Sequence, residues 1–223
     1  VETAVTSHYR QGGIDVDTAT MRSSLPGLYA AGGVGGHSNG LIGLATYDGK
    51  VVADGIAAAF ESMTDRPLSE NECEAERRRL DGLRNRSDPG ITPVKVKERI
   101  RQLMWDKVGV EKSAAGLRSA LEDIEEIRLG VLPDMSISTR SSAANFEWLD
   151  AIDVMNMIDV CELIVHSSLE RKESRGPFFR TDFPATDNRN WLVANVLKKS
   201  GNGLLFEQRP YQLPFFSPGF DVR

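Results

Sequence analysis

The sequence LPGLYAAGGVGGHSNGLIGLAT occupies residues 25–46 and has the pattern of a short buried strand, a glycine-rich turn and the start of a helix. Glycines remove side chains where the chain must bend, so the backbone of such a turn can approach a ligand closely. The free N–H groups at the start of the helix attract an anion or the polar edge of a ring. The stretch therefore predicts a cofactor-binding site.

The position of this stretch indicates which part of such a site it forms. No strand, glycine turn and helix that would hold the diphosphate of a cofactor precedes it in the sequence. We therefore expect the chain to be the second part of a larger assembly. An absent N-terminal half, on a second chain or outside this sequence, would complete it.

Composition narrows the classes of function. The 223 residues are enough to bury a substantial core, and 27 basic against 32 acidic residues give a net charge of -5. The sequence has no basic stripe with interleaved aromatic residues, which argues against a nucleic-acid-binding protein. It also has no apolar run of membrane-spanning length and no secretory signal pattern, so we expect a cytoplasmic protein. The isolated Cys73 and Cys161 predict structural thiols and no metal site.

The region around the glycine turn predicts one strand and one helix. The Pro26-Gly27 turn leads into a predicted strand over residues 28–31. After the glycine turn, apolar residues recur at helical spacing, and a helix is expected from about Leu44 to Ser62. Its inward-facing residues would be Val52, Ile56, Ala59, Phe60 and Met63.

The remaining sequence predicts helices followed by a hairpin. A highly charged helix comes first and ends near residues 88–90. Amphipathic helices follow, and a long helix over residues 143–171, apolar on most sides, is expected at the centre of a bundle. Two strands, over residues 191–199 and 204–211, are separated by Ser-Gly-Asn-Gly and predict a β-hairpin.

Five short motifs resemble, in the same order, those of a known flavoprotein family. They are HYRQGGI at 8–14, LPGLYAAG at 25–32, MWDKVGV at 104–110, ESRG at 173–176 and FRTDFP at 179–184. The motifs are similar to those of the fumarate reductase, succinate dehydrogenase and L-aspartate oxidase family. This resemblance covers nearly the whole chain and is specific for the superfamily, but not for one substrate.

The resemblance implies an α/β plus α fold with four segments. Residues 1–66 would be the C-terminal part of a Rossmann-like FAD-binding domain, and residues 67–92 a linker helix. Residues 93–176 would form a three-helix-bundle domain, and residues 177–223 a C-terminal β-hairpin tail.

The same resemblance implies FAD, bound covalently or non-covalently. The flavin ring would rest on the helix that begins near Gly43, with the backbone amides of Leu44, Ala45 and Thr46 facing its pyrimidine edge. Three further residues are assigned to the cofactor site, with the first two along the ribityl chain: Gly32, Gly33 and Tyr9.

Two positions depart from the family pattern. The family usually has an acidic residue where Gly33 stands, so one hydrogen bond to the cofactor is missing. Its dicarboxylate enzymes have an arginine where Gly40 stands, and this arginine grips a substrate carboxylate. Either the substrate is not a four-carbon dicarboxylate or another residue supplies the positive charge.

Three histidines are candidates for chemistry. The resemblance implies that His8 contacts a substrate carboxylate beside the flavin and orients it for hydride transfer. His37, in the glycine loop, is a weaker candidate for a substrate contact. His166 is expected to serve packing alone.

A dense charged cluster near the end of the long helix has two interpretations. It could be a set of catalytic acids and bases, or an ion-pair network that ties the helix to the following segment. We favour the network. Its members are Glu173, Arg175, Arg180 and Asp182.

Three functions are compatible with these features. The first is part of an FAD-dependent oxidoreductase that transfers hydride between flavin N5 and a small molecule bearing a carbonyl or carboxylate. Its partners would be a chain with the diphosphate-binding half and the capping domain, and an iron–sulfur subunit that places it at the membrane periphery. The second is a non-catalytic scaffold subunit of a flavoprotein–iron–sulfur complex. The third, NAD(P) binding, is disfavoured because the dinucleotide fingerprint is missing.

Overall fold

The computed structural model describes residues 12–36, 41–62, 67–86, 90–201 and 203–211. The chain divides into two units, Val1–Leu68 and Ser69–Arg223. The first unit is built on helix α1 (Ile42–Ala59), which a 3-10 turn (Gly32–Val34) precedes and a second 3-10 turn (Phe60–Ser62) follows. The helix thus begins two residues before its predicted start, and its last predicted turn is a 3-10 turn.

The predicted strand over residues 28–31 is reduced to one isolated bridge. Tyr29 pairs with Arg22 around the turn that Pro26 and Gly27 form, and Val16 pairs with Ser23 around an earlier turn at residues 18–20. The strand prediction was wrong because these residues bridge to a short neighbouring segment rather than to a continuous sheet strand.

The inward face of α1 differs from the prediction in two ways. Val52 and Ile56 are only half-buried, and Phe60 is exposed. The one buried residue of α1, all of whose 18 residues are described, is Asp48. Met63 lies outside the described residues.

The second unit begins with three helices that have clear sequence boundaries. They are α2 (Glu70–Arg84), α3 (Pro93–Val108) and, after the short strand β1 (Glu111–Lys112), α4 (Ala114–Glu126). The side chains of Ser69 and Ser113 accept hydrogen bonds from the first turns of α2 and α4. Proline occupies the first position of α3, where its missing N–H costs nothing.

Helix α5 (Phe146–Glu170) lies at the centre of the second unit. Asn145 caps its start by accepting the N–H of Trp148. Helices α2, α3 and α4 all pack against it. It is apolar around most of its circumference, and the prediction of a long helix over residues 143–171 is confirmed to within three residues at either end. Its fully buried positions, at helical spacing, are Ala151, Val154, Ile158 and Val165.

The segment predicted as a linker helix is packed onto this core. The indole N–H of Trp148 donates to the carbonyl of Leu80 on α2, and the guanidinium of Arg84 lies 5.1 Å from the centre of the same ring. Leu83 joins the hydrophobic core. The division into segments 1–66, 67–92, 93–176 and 177–223 stays a prediction.

Short β elements complete the second unit. Strand β2 (Phe179–Arg180) pairs in parallel with β1. A four-residue helix, α6 (Asn188–Trp191), precedes the antiparallel hairpin of β3 (Val193–Ser200) and β4 (Gly203–Pro210). The predicted hairpin is present, but Trp191 is helical because Asp187 accepts the N–H groups of Arg189 and Asn190.

Two further properties concern the described part of the chain. No helix there combines the length and the apolar character that crossing a membrane requires. Over the same residues, no group of three or more His, Cys, Asp or Glu side chains is arranged to hold a metal ion.

Candidate cofactor site

The glycine turn is held against helix α1 by one hydrogen bond and one close contact. Gly32 is buried with φ +69°, a left-handed conformation that glycine adopts without strain. Its N–H donates to Oδ2 of Asp48 at 3.0 Å. A Cβ on Gly32 would stand 2.9 Å from Cβ of Ala45, so position 32 has no room for a side chain.

The turn is also tied to the residues that precede it. The N–H of Ile14 donates to the carbonyl of Val34, and the N–H of Gly36 donates to the carbonyl of Ile14, each at 2.8 Å. A Cβ on Gly13 would stand 2.2 Å from the Val34 oxygen. Two backbone segments therefore run side by side at a distance that only glycine permits.

Among the described residues, no side chain caps the start of α1. Leu41 occupies the N-cap position and supplies no side-chain hydrogen bond. The first hydrogen bond of the helix runs from the N–H of Ala45 to the carbonyl of Leu41 at 2.9 Å. The amides of Ile42, Gly43 and Leu44 precede this ladder and carry the positive end of the helix dipole.

This geometry changes the predicted set of amide donors. Leu44 lies at the open end of the helix, as expected, but the N–H of Ala45 is already used inside the helix. The hydroxyl of Thr46 donates to the carbonyl of Ile42 at 2.9 Å. Of the three residues predicted to face the flavin, Leu44 alone has a backbone amide that precedes the helix ladder, and Gly43 and Ile42 join it.

Space around the open end is available within the described part of the chain. Apart from its chain neighbours and the backbone of its own helix, no atom of the described residues lies within 4 Å of the point where a Cβ on Gly43 would stand. Gly33 is exposed, and the side chain of Ile42 is 86% exposed. His8, Tyr9, His37 and Gly40 lie outside the described residues, so their predicted roles stay predictions.

Sequence reasoning missed Asp48, although a signal was present. Val52 and Ile56 were predicted on the inward face of the helix, and one more step of four residues toward the N-terminus gives position 48. The search for apolar periodicity stopped at Val52 because an aspartate breaks the apolar pattern.

The charged cluster after α5 is a structural network, as the preferred interpretation predicted. Arg180 is 1% exposed, and its guanidinium donates to the carbonyls of Ser168, Leu169 and Arg171, at the last turn of α5. It also forms two hydrogen bonds of 2.7 Å with the carboxylate of Asp182. The arginine thus satisfies helix carbonyls that have no intrahelical partner.

Glu173 forms the second half of the network. It is fully buried and accepts hydrogen bonds from Arg171, Arg175 and the backbone N–H of Asp187. Burial raises the pKa of Glu173, but these donors outweigh it and hold the pKa below its usual value. The glutamate is therefore an anchor of the fold and has no proton to exchange near neutral pH.

The side chain of His166 is only half-buried. It is 37% exposed, with Nε2 4.0 Å from a carboxylate oxygen of Glu162 one turn earlier on α5. The expectation that it serves packing rather than chemistry stays a prediction, since the residue is half-buried on α5.

Comparisons with known proteins agree with the flavoprotein motifs. The sequence profile of the family described as "Fumarate reductase flavoprotein C-term" matches residues 97–219, more than half of the chain. A fumarate reductase (CoM/CoB) subunit of Methanothermobacter marburgensis is 32% identical over 199 residues, which are 83% of this chain and 34% of that protein. The fumarate reductase flavoprotein subunit of Mycobacterium tuberculosis is 33% identical over 222 residues, covering 89% of this chain and 36% of that protein.

A solved structure supports the same relationship. The Sdh1 complex of Mycobacterium smegmatis in the apo form contains a chain that matches with a TM-score of 0.82 and 29% identity. The match covers 93% of this chain and 37% of that one. This chain thus spans about a third of the length of the relatives that it matches. It belongs to the fumarate reductase and succinate dehydrogenase flavoprotein family, of which it represents the C-terminal part.

Proposed function

We propose that this chain forms part of the FAD site of an oxidoreductase that transfers hydride between flavin N5 and a small molecule with a carbonyl or carboxylate group. The observation that carries this proposal is the glycine turn, which is held on α1 beside an open, uncapped helix start. Because the chain belongs to the flavoprotein family, we propose that the ligand bound by this geometry is FAD.

The residues fit an isoalloxazine ring in three respects. The left-handed Gly32 lets the backbone bend without a side chain, and the surface at Gly43 leaves space for a flat ligand among the described residues. The amides of Gly43 and Leu44 provide donors for the polar pyrimidine edge, and the helix dipole stabilises negative charge there. The first turn of α1 has no acidic side chain that would repel this negative charge. FAD, when bound, would supply the hydride-transfer chemistry.

We assign the other half of the site to residues outside this sequence. The relatives are about three times as long as this chain, and the start of α1 exposes apolar side chains that a folded protein normally covers. The exposed residues are Leu41, Ile42, Leu44 and Tyr47. A segment that binds the FAD diphosphate would cover this surface and complete the pocket, together with a capping domain.

The substrate contacts are proposed from the sequence. His8 would bind a substrate carboxylate and orient the reacting carbon toward the flavin, and His37 would stand near the place left by the arginine that Gly40 replaces. Because Gly40 has no positive charge, the substrate need not be a four-carbon dicarboxylate. An iron–sulfur subunit would carry electrons and place the complex at the periphery of a membrane.

The need for the other half can be tested by FAD binding. We predict that this chain alone binds FAD weakly or not at all, because it supplies only the ring side of the pocket. The complete flavoprotein should retain about one FAD per chain through gel filtration, measured by flavin absorbance. Full retention of flavin by the isolated chain would contradict the split site, and a complete protein that binds no FAD would overturn the proposed function.

A substitution at His8 tests chemistry against a scaffold role. His8→Ala in the complete complex should lower turnover about a hundredfold, because a substrate misplaced by about 1 Å loses that order of rate. Its flavin content should be unchanged. His166→Ala is the matched control, since this exposed histidine lies on α5, and its turnover should stay at the wild-type rate. Turnover by His8→Ala equal to that of the control would instead favour the scaffold.

A further inference from the structure

The buried residue of α1 is a carboxylate on a helix that exposes apolar side chains. Asp48 is 3% exposed, whereas Ile42 and Tyr47 on the same helix are largely exposed. Removing a charged group from water costs free energy unless hydrogen bonds compensate for the loss. An apolar side chain would normally occupy such a buried position, so the aspartate needs a physical explanation.

One of the contacts that Asp48 makes supplies that explanation. Its Oδ2 accepts the N–H of Gly32 at 3.0 Å, which joins the glycine turn to a helix position 16 residues later. One turn earlier on the helix, Ala45 lies against the same glycine. The turn therefore rests on α1 at two points, of which one is steric and the other is a directed hydrogen bond.

The hydrogen bond fixes the direction in which the turn presents its backbone. Gly32 is left-handed, and a glycine without such a bond is free to adopt other values of φ and ψ. Gly33, the exposed residue next to the bond, would face the ribityl chain.

On the basis of the proposed FAD site, we propose that Asp48 is a positioning residue for the cofactor. By accepting the Gly32 N–H, it sets the glycine turn relative to the open start of α1. Gly33 and the amides of Gly43 and Leu44 are then presented to FAD in a single arrangement. Asp48 acts through Gly32, from beneath the turn.

Two substitutions in the complete flavoprotein separate this role from a role in folding. Asp48→Leu keeps a buried side chain of similar size but leaves the Gly32 N–H without its acceptor, so the melting temperature should fall modestly. Its dissociation constant for FAD should increase about tenfold or more. Asp48→Asn keeps an oxygen that can accept the Gly32 N–H, and its affinity for FAD should stay within about threefold of the wild type.

The matched control lies on the exposed face of the same helix. Asp54 is paired with Lys50, and its side chain is 65% exposed. Asp54→Leu should leave FAD affinity unchanged. The flavin absorption spectrum gives a second readout, because a displaced turn changes the polarity around the ring, and Asp48→Leu should shift it where Asp54→Leu does not.

Each outcome has a defined meaning. An Asp48→Leu protein that binds FAD within about twofold of the wild type overturns the positioning role, even if it is less stable. An Asp48→Asn protein that loses FAD as fully as Asp48→Leu, at an unchanged melting temperature, also overturns it, since the accepting oxygen is then not what matters. If the wild-type protein itself binds no FAD, the proposed function fails, and this is a different result from either of these.

Discussion

Arg180 shows how much one buried side chain can do in this fold. It is 1% exposed, yet its guanidinium is paired with Asp182 and donates to three carbonyls at the end of α5. A planar guanidinium can serve several acceptors at fixed angles, which a lysine cannot do. The charged cluster therefore stabilises the fold, although its composition resembles that of a catalytic site.

Removal of this guanidinium should be costly. Arg180→Met removes the guanidinium that pairs with Asp182 and leaves the carbonyls of the last turn of α5 without their donor. We expect the free energy of unfolding to fall by about 3 kcal/mol. Arg180→Lys should restore only part of the loss. Urea denaturation followed by circular dichroism measures both changes. Arg78→Met, at an exposed ion pair on α2, is the control and should change stability by less than about 0.5 kcal/mol. A loss at position 180 no larger than this would contradict the network.

The pKa of Asp182 predicts a dependence of stability on pH. Hydrogen bonds from Arg180 lower this pKa from 3.8 to about 2. A carboxylate whose pKa is lower in the folded state stabilises the fold above pH 3.8, and the stabilisation is lost as the pH falls toward 2. Asp182→Asn has no carboxylate to protonate at this position. Its free energy of unfolding should therefore fall less steeply over that pH interval than that of the wild type. Parallel slopes in acid denaturation would show that the pair does not lower this pKa.

At the scale of elements, the core of the second unit is built around α5. Its buried positions contact helices on several sides, and Ile158 is fully buried among them. Ile158→Ala should lower the free energy of unfolding by about 3 kcal/mol, because it leaves a cavity that rigid neighbours cannot fill. Val160→Ala, two residues further on the exposed side, should change it by less than about 0.5 kcal/mol. Equal effects at the two positions would mean that α5 is not the centre of the core.

The elements also show what the sequence could predict. Long helices were predictable because apolar spacing and capping residues agree, as for α5, and the hairpin was predictable from two β-prone runs around Ser-Gly-Asn-Gly. The start of β3 was not predictable, because Asp187 accepts two backbone N–H groups and so starts a short helix that includes Trp191. Side-chain hydrogen bonds of this kind depend on local geometry that periodicity does not contain.

The candidate site was predictable only in outline. Glycine spacing located the turn and the helix start, since both depend on local backbone geometry. Which amides face the flavin stays a prediction, but the helix starts at Ile42, so the amides that precede its hydrogen-bond ladder are those of Ile42, Gly43 and Leu44. Asp48 was not found at all, because its partner, Gly32, lies 16 residues away and the contact exists only in the folded unit.

At the scale of the whole molecule, the chain combines membership of a flavoprotein family with a proposed cofactor site and a proposed partner surface. The family is set by sequence and by structure, since the chain matches about a third of several flavoproteins of fumarate reductase and succinate dehydrogenase. The cofactor and the partner follow as proposals from the open start of α1 and the apolar side chains around it. All three depend on whether the space beside Gly43 is where the flavin ring binds.

Two leucine substitutions on one helix measure this directly. Gly43 and Gly49 both lie on α1. Apart from chain neighbours and the backbone of the helix itself, no atom of the described residues is within 4 Å of a Cβ at either position. Both Gly43→Leu and Gly49→Leu should fold, because leucine favours a helix over glycine by up to about 1 kcal/mol. The measurement is the ratio of FAD to protein after gel filtration of the complete flavoprotein. We predict that Gly43→Leu loses most of its FAD while Gly49→Leu retains it, whereas equal retention by the two proteins would contradict a flavin site at the start of α1.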